Sequence, residues 1–208
     1  MSIDFLGRRP LLGGLLSAPP SGAAFLLHHA GARFGRPLAS VLPLADANGE
    51  LLQTAAAALR SAGPVPLLAG VCATDPTRIA ERLLDDVAKA GFAGVVNWPS
   101  VGLFDGVFRS NLESTGLGYG REVDLIAQAA KRKMAAIGLV FTADEARRMA
   151  EAGAHAVVVH PGPSGGLDPA PAEEVAKAAR RVRPDLAVLA AAERSMGLDG
   201  CLTGLVSP

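Results

Sequence analysis

Val65–Pro76 reads VPLLAGVCATDP, and Gly91–Glu122 reads GFAGVVNWPSVGLFDGVFRSNLESTGLGYGRE. Each stretch opens on a short apolar run, Val65–Val71 and Phe92–Val96, that ends in small and polar residues, and a helix-patterned segment separates the two. That is the pattern of a βαβ unit. In parallel α/β proteins the loops leaving the carboxyl ends of strands carry the chemistry, because the scaffold fixes their roots while their tips vary. Here those ends are Cys72–Asp75 and Asn97–Ser100. The second opens into a long loop with five glycines between Gly102 and Gly120, against about 2–6 residues for an ordinary βα connection.

Working outward, further apolar runs recur at Pro10–Leu16, Ala23–His28, Met134–Phe141, Ala156–His160, Leu186–Ala191 and Cys201–Val206. All are continuously apolar rather than alternating, as strands buried on both faces require. Eight candidate strands that mostly alternate with helical segments predict a (β/α)8 TIM barrel, an α/β fold occupying residues 1–208 as a single domain. Helix signals fit this scheme. Asp75 caps a helix with Pro76 at its first position and Gly91 as its stop. Thr142–Glu145 forms a capping box ahead of a helix that ends at Gly153. Asp168-Pro169 starts another, which runs to about Arg183, and Asn48–Ser61 and Gly120–Lys133 have helical spacing with weaker caps.

Two connections are too short. Only six residues, Ser17–Gly22, separate the first two runs, and a parallel crossover needs about 10–12. Ala192–Gly200, before the last run, has room for a turn or two. The barrel is therefore expected to be shortened, with helices missing or reduced after the first strand and before the last. The first and last strands of a barrel pair, so both gaps fall on one seam. A bare seam is a liability, which predicts a homo-oligomer or a partner subunit covering it.

Composition narrows the function classes. Half of the 208 residues are apolar, and twenty acidic residues balance twenty basic ones, so neither nucleic acid nor an anionic membrane is an expected partner. Cys72 and Cys201 lie far apart with no metal-ligand spacing, which points to a reducing, cytoplasmic setting. Arg8-Arg9 precedes the apolar Leu11–Leu16, but that run is short for an export signal and breaks at Pro19-Pro20. No apolar run approaches the roughly 20 residues of a membrane span.

At the strand ends, Cys72 is either a nucleophile, if a cation or a helix N-terminus lowers its pKa, or a small buried residue. Asp75 caps its helix and has an oxygen to offer a ligand. Asn97 carries both donor and acceptor, suited to holding a carboxylate or enolate oxygen or to bonding the loop backbone. Trp98 reads as a lid or wall. Among the loop's polar residues, Asp105, Asn111, Glu113 and Tyr119, the leading acid/base candidate is Glu113, whose pKa would rise in a dry barrel mouth. Glycines such as Gly102 let the backbone approach a ligand. Tyr119 either donates to a substrate or anchors the loop, and Glu122 reads as a first-turn residue favoured by the helix dipole. His160 ends a strand, where it can move protons or bind a metal, and the loop from Gly162 to Gly166 can cradle an anion. His155, at the opposite end of that strand, reads as structural. Only one of His28 and His29 can point inward; together with His160 and Asp75 it makes a His/His/Asp metal set conceivable, without any fixed ligand spacing. Arg33 and Arg36 can clamp a carboxylate or phosphate. Asp46 and Asn48 suit a turn and a helix cap. No cofactor is required by these residues; a divalent metal is an open option.

The segments LLAGVCATDP, GFAGVVNWPSVGLFDG, NLESTGLGYGREVDLI, FTADEARRMAEAGA and AVVVHPG, with weaker agreement in HHAGARFGRPLASVLPLADAN, resemble the phosphoenolpyruvate hydrolase-like TIM-barrel family. This is an indole-3-glycerol-phosphate-synthase-like barrel that includes the carboxy-terminal domain of plant tobamovirus-resistance proteins. The match runs from about Gly22 to Gly162, and the chain reads as a shortened, divergent member. His28-His29-Ala30-Gly31 stands where the family has Tyr-Asn-Ser-Gly. Ala190–Ala192 replaces a His-Gly-Gly-Pro, and Glu193–Met196 look like remnants of a Ser-Met-Glu-Arg. The resemblance implies a lyase or hydrolase acting on a small anionic substrate, a 2-oxo acid, an enol or a phosphorylated acid. Catalysis would fall to Glu113, His160 and Cys72, and substrate binding to Asn97, Asp75, Tyr119, Gly102, Gly162, His28 and Arg33. The alternative is a catalytically reduced barrel that binds a ligand or a protein.

Overall fold

The computed structural model describes residues 3–7, 9–29, 46–162 and 168–205. Eight strands lie one in each expected run: β1 (Leu11–Leu15), β2 (Phe25–His28), β3 (Leu67–Gly70), β4 (Gly94–Val96), β5 (Ala135–Val140), β6 (Ala156–Val159), β7 (Ala187–Ala190) and β8 (Gly200–Thr203). They pair in parallel and in sequence order, and β8 closes on β1, with Leu11 opposite Gly200 and Gly14 opposite Thr203. The product is the shortened (β/α)8 barrel that the apolar runs predict.

Two apolar clusters explain why those runs are unbroken. One contains Leu11, Phe25, Leu27, Leu68, Val96, Ile137, Leu139, Val158, Leu189 and Leu202, from all eight strands and from no α-helix, and fills the barrel. The other joins Leu26, Leu67, Ala69, Val95, Ala136, Val157 and Val188 to residues of the surrounding helices. Successive strand residues point to opposite faces, so both faces must be apolar. Truncating one interior residue such as Leu139 to alanine is expected to cost about 2–5 kcal/mol. Phe5 and Leu6, in a 3-10 turn at Asp4–Gly7, join the interior cluster, and the Phe5 ring lies 6.1 Å from that of Phe25 near the start of β2.

Six helices clad the described part of the barrel: α1 (Ala47–Ala62), α2 (Ala80–Ala90), α3 (Gly106–Ser114), α4 (Gly120–Lys131), α5 (Ala143–Glu151) and α6 (Pro169–Val182). Asp46 Oδ1 accepts from Gly49 N at 2.8 Å and caps α1. Thr142 Oγ1 accepts from Glu145 N at 3.2 Å, and Glu145 Oε2 accepts from Phe141 N at 2.9 Å, so the expected capping box begins α5 with its return bond one residue early. Two expectations need correction. Helix α2 starts at Ala80 behind Ile79, because the Asp75 carboxylate folds back onto Thr77 N, 2.8 Å away, and Asn48 Nδ2, 2.9 Å away, and so caps nothing. The glycine-rich stretch after β4 is not an open loop: it holds a 3-10 turn at Val101–Leu103 and α3. Leu112 is the buried residue of α3, which leaves no apolar stripe for a sequence reading to detect.

Among the described residues no helix links β1 to β2 or β7 to β8. Pro20 folds over the first gap, where a Cβ on Gly14 would collide with its ring. Asp199 ties down the second, accepting from Val188 N at 2.9 Å and Arg180 Nη2 at 2.8 Å. No helix among the described residues is long and apolar enough to cross a membrane.

Candidate functional site at the barrel mouth

The two-residue alternation of β2 decides which histidine faces inward. Phe25 and Leu27 point into the barrel and Leu26 points out, so His28 turns outward and His29 inward. His28 lies with its Nε2 2.9 Å from Thr54 Oγ1 on α1 and stacks at 6.5 Å on Phe92. The expected role of His28 in the mouth is thereby corrected. His29 meets the edge of Trp98 at 6.0 Å; Trp98 lies 6.0 Å from the ring of His160, which lies 5.2 Å from that of Phe141. These four rings, from the ends of β2, β4, β5 and β6, wall the described part of the mouth.

His160 is buried, at 5% exposure. Gly162, at φ +74°, turns its N–H back to His160 Nδ1 at 3.0 Å, a conformation that favours glycine. An Nδ1 that accepts leaves the proton on Nε2. That Nε2 is buried and has no hydrogen-bond partner among the described residues. Burial pushes the imidazole down to about 4, only partly opposed by the Leu205 backbone, so at neutral pH the ring is an uncharged donor facing the mouth. His29 is likewise pushed down to about 4, by burial and then by His28.

Behind this wall lies a polar cluster that closes the root of the β4 loop. Asn97 Nδ2 donates to Glu122 Oε2 at 2.5 Å and to Leu139 O at 3.2 Å, and Asn97 Oδ1 accepts from Leu139 N at 2.6 Å. The amide thus continues the β4–β5 ladder beyond the end of the strand. Ser100 Oγ adds a bond to Glu122 Oε2 at 2.7 Å, and Val101 N one to Oε1 at 2.8 Å. Asn97, Ser100 and Glu122 are each 0% exposed. Burial pushes Glu122 up from 4.5 to about 7 against the pull of these donors. Asn97 therefore bonds the fold rather than a substrate, because its donors and acceptor are taken. Glu122 sits in the first turn of α4 as expected, yet its carboxylate is the centre of the cluster. A signal was present: Glu122 shares the stripe of Leu125, Ile126 and Ala129 at helical spacing, and a charge on an apolar stripe marks a buried polar contact.

The remaining candidates are spread more widely. Tyr119 is 0% exposed, donates its hydroxyl to Leu139 O at 2.5 Å, and lies 5.5 Å from the Arg109 and 5.7 Å from the Arg148 guanidinium. It anchors the loop and has no hydroxyl left for a substrate. Glu113 accepts from Arg109 Nε at 2.8 Å and from Tyr119 N at 3.1 Å with its side chain 44% exposed, so the dry setting expected for an acid/base is not where it lies. Arg109 also holds the buried Glu145 at 3.0 Å and pins α3 to α5. Asp105 and Asn111 are exposed. Gly102 N donates to Ser100 Oγ at 3.1 Å, and a Cβ there would collide with the Phe141 ring, so Gly102 packs rather than cradles.

Cys72 is clasped by Asn48, whose Oδ1 accepts from its N and whose Nδ2 donates to its O, each at 3.0 Å. Burial pushes the thiol up to about 11, the reverse of what a thiolate nucleophile needs. Cys72 and Asp75 line a cleft between α2 and α4. No group of three His, Cys, Asp or Glu among the described residues could hold a metal; of the expected set, the inward histidine is His29, separated from His160 by Trp98, and Asp75 is taken up by Asn48 and Thr77. His155 is structural as expected, its Nδ1 accepting from Ala136 N at 3.1 Å. Arg33, Arg36 and Gly165-Gly166 lie outside the described residues. Of the expected site, then, the mouth brings together His160, Gly162 and Gly102 around Phe141, with Trp98 and His29 beside them.

A family model described as phosphoenolpyruvate hydrolase-like matches residues 21–192. The chain belongs to this family. Two tomato (Solanum lycopersicum) members of similar sequence, the ToMV susceptible protein tm-1(GCR26) and the ToMV resistance protein Tm-1(GCR237), are each 44% identical to it over 164 residues, 73% of this chain and 22% of theirs. The phosphoenolpyruvate hydrolase-like barrel thus spans under a quarter of the length of these curated relatives. Among solved structures, a phosphonomutase-type protein from Burkholderia cenocepacia J2315 aligns with a TM-score of 0.59 at 17% identity, covering 96% of this chain and 89% of its own. An oxaloacetate acetylhydrolase in complex with the product oxalate aligns with a TM-score of 0.58 at 14% identity, covering 98% and 79%. At such identities the likeness is one of fold.

Proposed function

We propose that this barrel is an enzyme of small carboxylic acids, a 2-oxo acid, an enol or a phosphorylated acid, with lyase- or hydrolase-type chemistry at its mouth. The observation that carries this reading is the buried Nε2 of His160 at the carboxyl end of β6, which among the described residues has no partner at full hydrogen-bond distance and only the weak pull of the Leu205 backbone. A buried donor without an acceptor costs about 1–3 kcal/mol, and a substrate oxygen would relieve that cost. Because burial keeps the ring neutral, His160 acts as a hydrogen-bonding electrophile that stabilises charge on a carbonyl or enolate oxygen. Trp98, Phe141 and His29 form walls that keep water from that bond. Family membership supports an enzyme-type barrel and leaves the substrate to be found.

A second reading is a barrel that binds a ligand or protein without turnover. It is favoured by the fate of the carboxylates: Glu113, Glu122 and Glu145 are all bonded to arginine, amide, hydroxyl or backbone groups of the fold. The tomato relatives are named for their relation to a virus, which suits a protein-binding role. A homo-oligomer or partner subunit over the β8–β1–β2 arc belongs to either reading.

The deciding experiment replaces His160 with glutamine and with alanine and follows turnover and affinity over a panel of oxalate, pyruvate, oxaloacetate and phosphoenolpyruvate. The enzyme reading expects turnover of at least one acid, reduced about a hundredfold by His160→Ala, the scale of losing one oxyanion donor. Turnover that survives both substitutions removes His160 from the mechanism; binding without turnover in the unaltered protein establishes the second reading.

A further inference from the structure

Outside the barrel wall, at the carboxyl end of β3, a cleft of about 180 Å³ opens between α2 and α4. The walls contributed by Ala73, Ala80, Leu83 and Leu125 are aliphatic. The polar part comes from α4, where Arg121, Asp124 and Gln128 line the cleft with Leu125. Residues 121, 124, 125 and 128 are spaced i, i+3, i+4 and i+7, so they share one helix face. One turn further on, Arg132 Nε reaches Asp85 at 3.2 Å and ties α4 to α2.

The charges at this cleft are unevenly used. Arg78 is held by Asp46, with Nε 2.8 Å from Oδ1, and Asp75 by Asn48 and Thr77. Among the described residues, neither the Arg121 nor the Asp124 side chain, both exposed, makes a hydrogen bond or ion pair with the protein, although they are oppositely charged and one turn apart. The Oε1 of Gln128 is buried with no donor to satisfy it among the described residues. One cation and one anion thus stand at an aliphatic cavity, with an orphaned acceptor buried in the wall beside them.

We infer that this cleft binds a small α-amino acid with an aliphatic side chain. The ammonium would sit between Asp124 and Gln128 Oε1, and the carboxylate on Arg121. Arg121 and Asp124 are rooted about 4.5 Å apart along the helix axis, at ~1.5 Å per residue, so both side chains can reach the adjacent ammonium and carboxylate of one amino acid. At about 180 Å³ the cleft is on the scale of a small metabolite such as valine. A simple anion would make no contact with Asp124 or Gln128, and a simple amine none with Arg121. The site is independent of His160 and of the chemistry at the mouth.

The test is calorimetry and thermal unfolding of the full chain with valine, with isovalerate and isobutylamine as its two half-ligands. Valine is expected to bind saturably and raise Tm, while neither half-ligand does so at the same concentration. Gln128→Met removes the orphaned acceptor without needing to repack the helix, so it should leave Tm in the absence of valine unchanged or higher. Gln128→Met and Asp124→Asn should each weaken valine binding about tenfold or more, a change of ~1.4 kcal/mol in affinity, and His160→Ala should leave it unchanged. The inference is overturned if valine does not bind at about 10 mM, far above the Kd of a useful site. It is equally overturned if a half-ligand binds as well as valine, or if Gln128→Met and Asp124→Asn leave the affinity intact.

Discussion

Asn97 and Glu122, 25 residues apart, share a 2.5 Å hydrogen bond in a completely buried position. The bond joins the end of β4 to the first turn of α4 and lets one side chain stand in for a rung of the β-ladder through Leu139. Removing the Asn97 amide leaves the Leu139 N–H without an acceptor and takes one of three donors from the Glu122 carboxylate. Asn97→Ala is therefore expected to cost about 3 kcal/mol, more than an ordinary surface amide, as measured by urea unfolding. Asn97→Asp should be worse above pH 7 than below it, because it sets a second carboxylate against Glu122. Equal loss at both pH values would mean that Glu122 carries no charge over the whole range.

Glu122 itself gives a pH signature. Its pKa is raised from 4.5 to about 7, chiefly by burial, so the folded protein holds the proton that the unfolded chain releases. The resulting stability is fully present below about 4.5 and declines as pH rises to about 7. The charged and titratable groups near it include Glu145, which raises its pKa further, Tyr119 and Cys72. In Glu122→Gln that decline should vanish, at a cost of about 1–3 kcal/mol because an amide cannot accept all three donors. Chemical denaturation at a series of pH values between 4 and 8 reads both effects.

His160 carries the opposite sign. Its folded pKa is lowered from 6.5 to about 4, so the neutral form that the fold requires is secure above 6.5, and stability falls as pH drops from 6.5 towards 4. Nitrogen NMR at pH 7 should find the neutral ring with its proton on Nε2, as the Gly162 N–H bond to Nδ1 demands. An imidazolium signal at pH 7 would remove the electrophilic role. Gly162→Ala, strained at positive φ, should broaden or shift that signature.

Asp199 bonds the helix-free β7–β8 connection to the barrel. Burial pushes its pKa up most strongly, but the Val188 N–H, Arg180 and Arg9 together hold it below its ordinary 3.8. Its contribution is present above 3.8 and lost as pH falls through the lower folded value. Asp199→Asn should cost about 1–2 kcal/mol at pH 7 and nothing further in acid, measured as the gap between the two acid-unfolding curves.

The sequence discloses the barrel because a strand enclosed on both faces has no choice but an unbroken apolar run, and eight such runs are visible. It discloses the missing helices because length alone forbids them. It does not disclose which of His28 and His29 faces inward, since adjacent residues on a strand differ only in register, and register is set by pairing with β3. Helix α3 stays hidden because Arg109, not an apolar stripe, holds it in place. Asn97 and Glu113 are polar residues in the right neighbourhood, yet one is absorbed by a neighbouring strand and the other by its own helix; composition cannot tell a spent hydrogen-bonding group from an available one. Glu122 was legible in principle, as the charge that interrupts an otherwise aliphatic helix face.

The two helix-free connections flank the same strand, since β1 pairs with both β2 and β8. There Leu12 and Leu15 are only half-buried, whereas every residue of β5 is buried. A cask whose hoops are thin on one side leaks along that side first. Amide protons of the Leu11–Leu15 stave should exchange with solvent well before those of Ala135–Val140, so that the molecule breathes along one line rather than all around.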